Sequence, residues 1–159
     1  MQLWVIRHAV AEDARPGSDD ASRPLTDPGK AKLRQAIRGL RSIDVRFERI
    51  LTSPWRRAAQ TAELLASLGD APPVATELLT GPPRAELLAL IAEHRETVAV
   101  VGHEPWLGEL VAWLAFGDAK HGDQLVIKKN GAVWLEGTAV PGGMQIRAVL
   151  PPRLLRALG

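Results

Sequence analysis

The sequence predicts an α/β fold: a three-layer α/β/α sandwich around a mostly parallel sheet, with added strands near the C-terminus. Three observations predict it. Short apolar runs alternate with stretches of helical periodicity up to about Gly117. Gly, Pro or polar clusters punctuate each run. The period then changes, and Asn130-Gly131 and Pro141-Gly142-Gly143 separate short strand-like segments.

The elements follow in order. Leu3 to Ile6 is wholly apolar and of a length that suits a buried strand. Ala11 to Arg23 is rich in Asp, Ser, Gly and Pro and reads as an exposed loop. Asp27-Pro28 supplies an N-cap and a proline at N1, and Leu33, Ile37 and Leu40 carry a helix to about Arg41. Arg49 to Thr52 is a second strand, stopped by Ser53-Pro54. Helical spacing runs from Trp55 through Ala58, Ala62, Leu65 and Leu68 to Gly69, placed as a C-cap glycine. Prolines bracket a short segment, Val74 to Leu79, and a helix follows from about Arg84 to His94. Thr97 to Val101 is the strongest strand signal, broken at Gly102-His103-Glu104-Pro105. Leu107, Leu110, Val111 and Leu114 form a further helix, capped near Gly117. Leu125 to Lys128 and Ala132 to Leu135 flank Asn130-Gly131 as a hairpin, and Met144 to Leu150 completes a β-meander. No repeat or linker divides the chain, so residues 1–159 are expected to form one domain.

Composition narrows the function. Cysteine is absent, which excludes disulfides, thiol nucleophiles and thiolate zinc sites, and a reducing, cytoplasmic setting is expected. Tyrosine is absent as well, leaving His, Asp, Glu, Ser, Thr and Lys for acid, base or nucleophile. No apolar run approaches the roughly 18 residues of a membrane span, and the first residues lack the pattern of a signal peptide. The 20 Lys and Arg barely exceed the 18 Asp and Glu, with no basic run, so nucleic acid is not an expected partner. No histidine pair has metal-ligand spacing, and Asp118 to Asp123 lacks a calcium-loop pattern, so no metal or cofactor is expected.

Polar clusters follow three of the strands: Arg7-His8, Ser53-Pro54-Trp55-Arg56-Arg57 and Gly102-His103-Glu104. In open α/β sheets, ligands bind outside the carboxyl ends of the strands, so a parallel sheet would gather all three. Arginine forks match phosphate oxygens. A neutral histidine is a nucleophile toward phosphorus, and nearby guanidinium groups favour the neutral form. A second histidine, if protonated, adds a donor to the phosphoryl group. Each cluster alone has a bland reading as strand-end polarity, a solvated helix face or a capping residue. Arg56 and Arg57 are neighbours that point in different directions, so at most one of them is expected to reach the site. His94 and His121 read as surface residues. Trp55 and Trp106 lie nearest the clusters among five tryptophans, most of which are expected in the core.

Leu3-Trp4-Val5-Ile6-Arg7-His8-Ala9 resembles the N-terminal Arg-His signature of the histidine phosphatase superfamily, which includes the cofactor-dependent phosphoglycerate mutases. Ser53-Pro54-Trp55-Arg56-Arg57-Ala58-Ala59-Gln60-Thr61 resembles its second motif, Ser-Pro-x-x-Arg-Ala-x-Gln-Thr, and selects Arg57 over Arg56. Val100-Val101-Gly102-His103 resembles the third. The short chain, the Arg23-Pro24-Leu25-Thr26 stretch with Gly29, and His103-Glu104-Pro105 are most similar to SixA-type phosphohistidine phosphatases. The resemblance implies a phosphoglycerate-mutase-like fold and a metal-independent phosphatase. His8 would be the nucleophile, and Arg7, Arg57 and His103 would hold the phosphoryl oxygens. Ser18, Asp19 and Arg23 in the first loop are expected to help bind substrate.

The general acid is open. Glu104, directly after the second histidine, leads Glu77, with Asp19 and Asp20 as further candidates. A phosphohistidine substrate needs less of an acid, because a protonated imidazole leaves more readily than an alkoxide. With little chain for a lid, the pocket is expected to be shallow and open, suited to a phosphorylated protein, and the chain is expected to be a monomer. Competing readings are a small-molecule phosphomonoesterase and a non-catalytic phosphate-binding module. Mutase activity fits the short chain less well.

Overall fold

The computed structural model, which describes all 159 residues, builds the chain around one six-stranded sheet of order β3-β2-β4-β1-β5-β6. The strands are β1 (Gln2–Arg7), β2 (Arg49–Thr52), β3 (Val74–Ala75), β4 (Thr97–Gly102), β5 (Ala132–Gly137) and β6 (Met144–Leu150). β1 to β4 run parallel. β5 is antiparallel to β1, and β6 to β5. The helices are α1 (Asp27–Ser42), α2 (Arg56–Leu65), α3 (Ala85–Ala92), α4 (Trp106–Phe116) and α5 (Pro152–Ala157).

Strand alternation creates the layers. In β1, Leu3 and Val5 enter one apolar cluster, with Leu87 and Ile91 of α3 and Leu107, Leu110 and Leu114 of α4. Trp4 and Ile6 enter the other, with Leu33, Ile37 and Leu40 of α1, Ala58, Ala62 and Leu65 of α2, and Leu155 of α5. The result is the expected three-layer α/β/α sandwich. Each buried leucine or isoleucine on these faces contributes about 2 kcal/mol of transfer free energy. No helix is long and apolar enough to cross a membrane.

Several local expectations are corrected. Thr26, not Asp27, caps α1: its hydroxyl accepts from Gly29 N at 3.0 Å, and Pro28 falls within the first turn. Gly69 keeps an extended backbone (φ −103°) after a turn of 3₁₀ helix at Ala66–Leu68, because the chain bridges there to Phe47. Gly117, by contrast, is left-handed (φ 80°), as a helix-ending glycine should be.

The Asn130-Gly131 hairpin does not form. Asn130 does take a positive φ (65°). Leu125 to Lys128, however, is not a strand, because its backbone is occupied elsewhere: Ile127 N–H donates to Glu104, and Ile127 O accepts from Arg7. The hairpin is instead β5–β6, around Pro141-Gly142-Gly143. The last third is therefore two strands and a helix rather than a meander. α5 starts at a Pro151-Pro152 signal left unread, and it packs on α1 where Gly39 has no Cβ to meet the Leu155 carbonyl.

Candidate active site

Register brings the three clusters together. Arg7 of β1 pairs with Gly102 of β4, and Thr52 of β2 pairs with Val101. The next residues of all three strands are therefore neighbours. His8 N donates to Gly102 O (3.1 Å), and Ser53 N donates to Val101 O (3.0 Å). The His8 and His103 rings lie 5.1 Å apart.

His8 is 5% exposed. Its Nδ1 lies 2.6 Å from Ala9 O. A carbonyl only accepts, so Nδ1 carries the proton and the lone pair is on Nε2. Arg57 Nε donates to that Nε2 at 3.2 Å. Burial first, then the charges of Arg57, Arg7 and Lys129, lower the imidazole to about 4. His8 is thus neutral at pH 7 with its lone pair facing a cation.

His103, 3% exposed, is lowered to about 3 by burial, His8 and Arg57. It is neutral in the resting site and not the imidazolium that the sequence allowed. Its Nε2 meets Ser53 Oγ at 2.9 Å, while Ser53 Oγ accepts from Trp55 N at 3.2 Å. Both groups are satisfied when the hydroxyl donates to Nε2, which assigns the His103 proton to Nδ1. That Nδ1 and Arg7 Nε are buried without a hydrogen-bond partner. Buried donors of this kind are costly unless something accepts from them, and an oxyanion is the complementary group.

Arg57 is held from several sides. Its Nη1 donates to Asp20 O (2.7 Å) and its Nη2 to Asp20 Oδ2 (2.9 Å). Its guanidinium lies 4.7 Å over the Trp55 ring. Thr61 Oγ1 donates to Arg57 O (2.7 Å) and accepts from Ala9 N (3.0 Å), tying α2 to the turn that carries His8. Gln60 Oε1 accepts from Leu25 N (2.8 Å) and fixes the end of the first loop. Arg7 Nη1 donates to Ile127 O (2.9 Å). Trp55 and Trp106 both pack by the His103 ring, at 4.6 and 6.3 Å.

Both histidines are thus buried, and Asp20 lies across Arg57. Other expected residues lie outside this cluster. Ser18 donates to Arg15 O, and Asp19 accepts from Ala21 N, both local turn bonds. Arg23 reaches the site only through Asp20 Oδ1 (2.7 Å) and also donates to Glu12 O (2.8 Å). The Glu104 carboxylate accepts from Gly108 N and Ile127 N with its two oxygens. In the structure these bonds make the residue a brace between α4 and the 125–130 segment. Glu77 contacts Thr80 and no site residue.

Sequence reasoning gave no role to Ser53, Thr61, Gln60 or Ile127. The first three lie inside the second motif, whose arginines and tryptophan carry the more obvious chemistry. Ile127 acts through backbone atoms and leaves no side-chain signal.

Residues 3–80 match the histidine phosphatase superfamily (branch 1). The chain is 37% identical over 125 residues to phosphohistidine phosphatase SixA of Escherichia coli, covering 74% of this chain and 76% of that protein. It is 38% identical over 148 residues to an uncharacterized protein of Picosynechococcus, covering 87% of each. The structure of the protein histidine phosphatase SixA complexed with tungstate superposes with a TM-score of 0.80 at 29% identity, over 98% of this chain and 99% of that one. An α-ribazole phosphatase of Shigella flexneri, at 20% identity and a TM-score of 0.75 over 96% and 97%, shares the fold. With the three motifs converging on one sheet edge and the identity extending well past them, this chain belongs to branch 1 of the histidine phosphatase superfamily and is a phosphatase.

Proposed function

We propose that the protein hydrolyses phosphohistidine on a phosphorylated protein through a covalent phospho-His8 intermediate. The observation that carries this reading is the state of His8: neutral, proton on Nδ1, lone pair on Nε2 beside Arg57. In the first step Nε2 forms a bond to phosphorus as the substrate P–N bond breaks, and its electron pair leaves on the substrate imidazole. Arg57, the Nη and Nε donors of Arg7, and His103 Nδ1–H would hold the equatorial oxygens. In the second step water bonds to phosphorus, the P–Nε2 bond breaks, and the lone pair returns to His8. The water's protons remain with phosphate and solvent.

Two observations favour an N–P bond over an ester. Glu104 is bonded to Gly108 N and Ile127 N, Glu77 to Thr80, and Asp20 is paired with Arg57 and Arg23, which favours a substrate that needs no proton from them. The 37%-identical relative is named a phosphohistidine phosphatase. In this reading the positive charge comes from the arginines, so no metal is needed. The test is phosphate release from a phosphohistidine protein and from an aryl phosphate, with a chelator present. Release from phosphohistidine is expected to exceed release from the ester and to vanish in His8→Ala. In Arg57→Ala it should fall about a hundredfold. Ester turnover that outpaces phosphohistidine would refute the substrate assignment, and undiminished turnover in His8→Ala would refute the intermediate.

A further inference from the structure

The site is cationic except for one carboxylate. Arg7, Arg57 and Lys129 all act on His8. Into this set the first loop inserts Asp20, half exposed, against an Arg57 side chain that is 5% exposed. Asp20 engages both terminal nitrogens of Arg57, one through its carbonyl and one through its carboxylate. Arg23 grips the other carboxylate oxygen. The loop is anchored on both sides of this point: Ala11 bridges to Leu25, and Glu12 N donates to Pro24 O. Asp20 thus stands where a phosphoryl oxygen must stand if Arg57 is to bind it.

The nucleophile is buried and Asp20 is half exposed, so Asp20 lies on the solvent side of Arg57. In-line attack by His8 places the leaving group on the side away from His8, toward solvent. We propose that Asp20 determines substrate specificity: it holds Arg57 until a phosphoryl group displaces it, and it then favours leaving groups that depart protonated. This rests on the phosphohistidine reading above and explains how the site works when its one carboxyl group, Asp20, is ion-paired with Arg57 and Arg23 instead of acting as a general acid. A displaced carboxylate at the mouth stabilises the cationic, ring-protonated phosphoimidazole, whose P–N bond breaks to give neutral imidazole. The same carboxylate repels the anion that an ester releases, and it competes with free phosphate for Arg57, which speeds product release.

The test uses the full chain with Asp20→Asn, which keeps the size and one acceptor. An Asp13→Asn variant, in the same loop, controls for net charge. Tungstate is the oxyanion probe, and phosphoimidazole and p-nitrophenyl phosphate are the substrates. Asp20→Asn should bind tungstate about fivefold tighter, the worth of one partly exposed ion pair. Its kcat for phosphoimidazole should fall about tenfold, while kcat/KM for the aryl ester holds or rises. Asp13→Asn should match wild type throughout. Equal losses on both substrates, unchanged tungstate affinity, or the same shifts in Asp13→Asn would overturn the role of Asp20. Wild-type protein that cleaves the ester and leaves phosphoimidazole intact would overturn the phosphohistidine reading, and this inference with it. The wild-type ratio reports on the substrate, and the variant-to-wild-type ratio reports on Asp20.

Discussion

Lowering the pH from 7 to 5 should destabilise this protein more than its carboxylates alone would, because two buried histidines refuse protons that the unfolded chain accepts. The native His8 and His103 sit at about 4 and about 3, against an ordinary value of 6.5. Their native values are depressed, so the unfolded state binds more protons below 6.5, and stability falls as pH falls. Each pH unit below 6.5 costs about 1.4 kcal/mol per histidine, or about 2 kcal/mol each by pH 5 and about 4 kcal/mol together. The loss levels off only near the native values, at about 4 and about 3. Urea unfolding at pH 7 and pH 5 measures it directly. His8→Gln and His103→Gln keep every carboxylate and should each lose about 2 kcal/mol less than wild type over that interval. If both variants show the wild-type difference, the histidines are not held neutral by the fold, and the lone pair assigned to His8 at pH 7 loses its physical basis.

Two further outcomes follow from the bonds around the site. Ser53→Ala removes the donor that fixes the His103 tautomer, so kcat/KM should fall about tenfold while stability drops by about 1 kcal/mol. A steady-state assay paired with a melting curve separates the two effects. Glu104→Ala leaves Gly108 N and Ile127 N without their acceptor and should cost about 2 kcal/mol of stability. Its activity loss should come through Arg7 and show chiefly as weaker tungstate binding; loss of the alkaline limb of the pH–rate profile instead would identify Glu104 as a proton donor.

The site was legible where chemistry lives in side chains next to strand ends. Arg7 ends β1, His8 and His103 directly follow β1 and β4, and Arg57 lies in the first turn of the helix after β2, so a parallel sheet gathers all four at one edge. The layers were legible for the same reason, since the β1 residues alternate between two cores. Asn130-Gly131 misled because a turn signal is local, whereas the partner of a strand is chosen by everything else competing for its backbone. Here Glu104 and Arg7 claim Ile127 before a strand can. α5 is six residues long and carries little periodicity, so its proline start was the only mark it left. Asp20 stood among several acids in a polar loop, and only the fold shows that Arg57 singles it out.

The Arg7–Ile127 bond joins residues 120 positions apart in sequence. Residues 1–103 contain both histidines and both arginines, yet that stretch lacks the carbonyl that anchors Arg7 and the amide that anchors Glu104. During synthesis, a chain that has emerged only to His103 would carry all four of these side chains with the Arg7 guanidinium untethered. On the function proposed above, Arg7 would be aimed at the phosphoryl group only once the final third has folded back onto the first strand. The placement of Arg7 thus depends on a backbone atom of a residue that lies outside all three motifs.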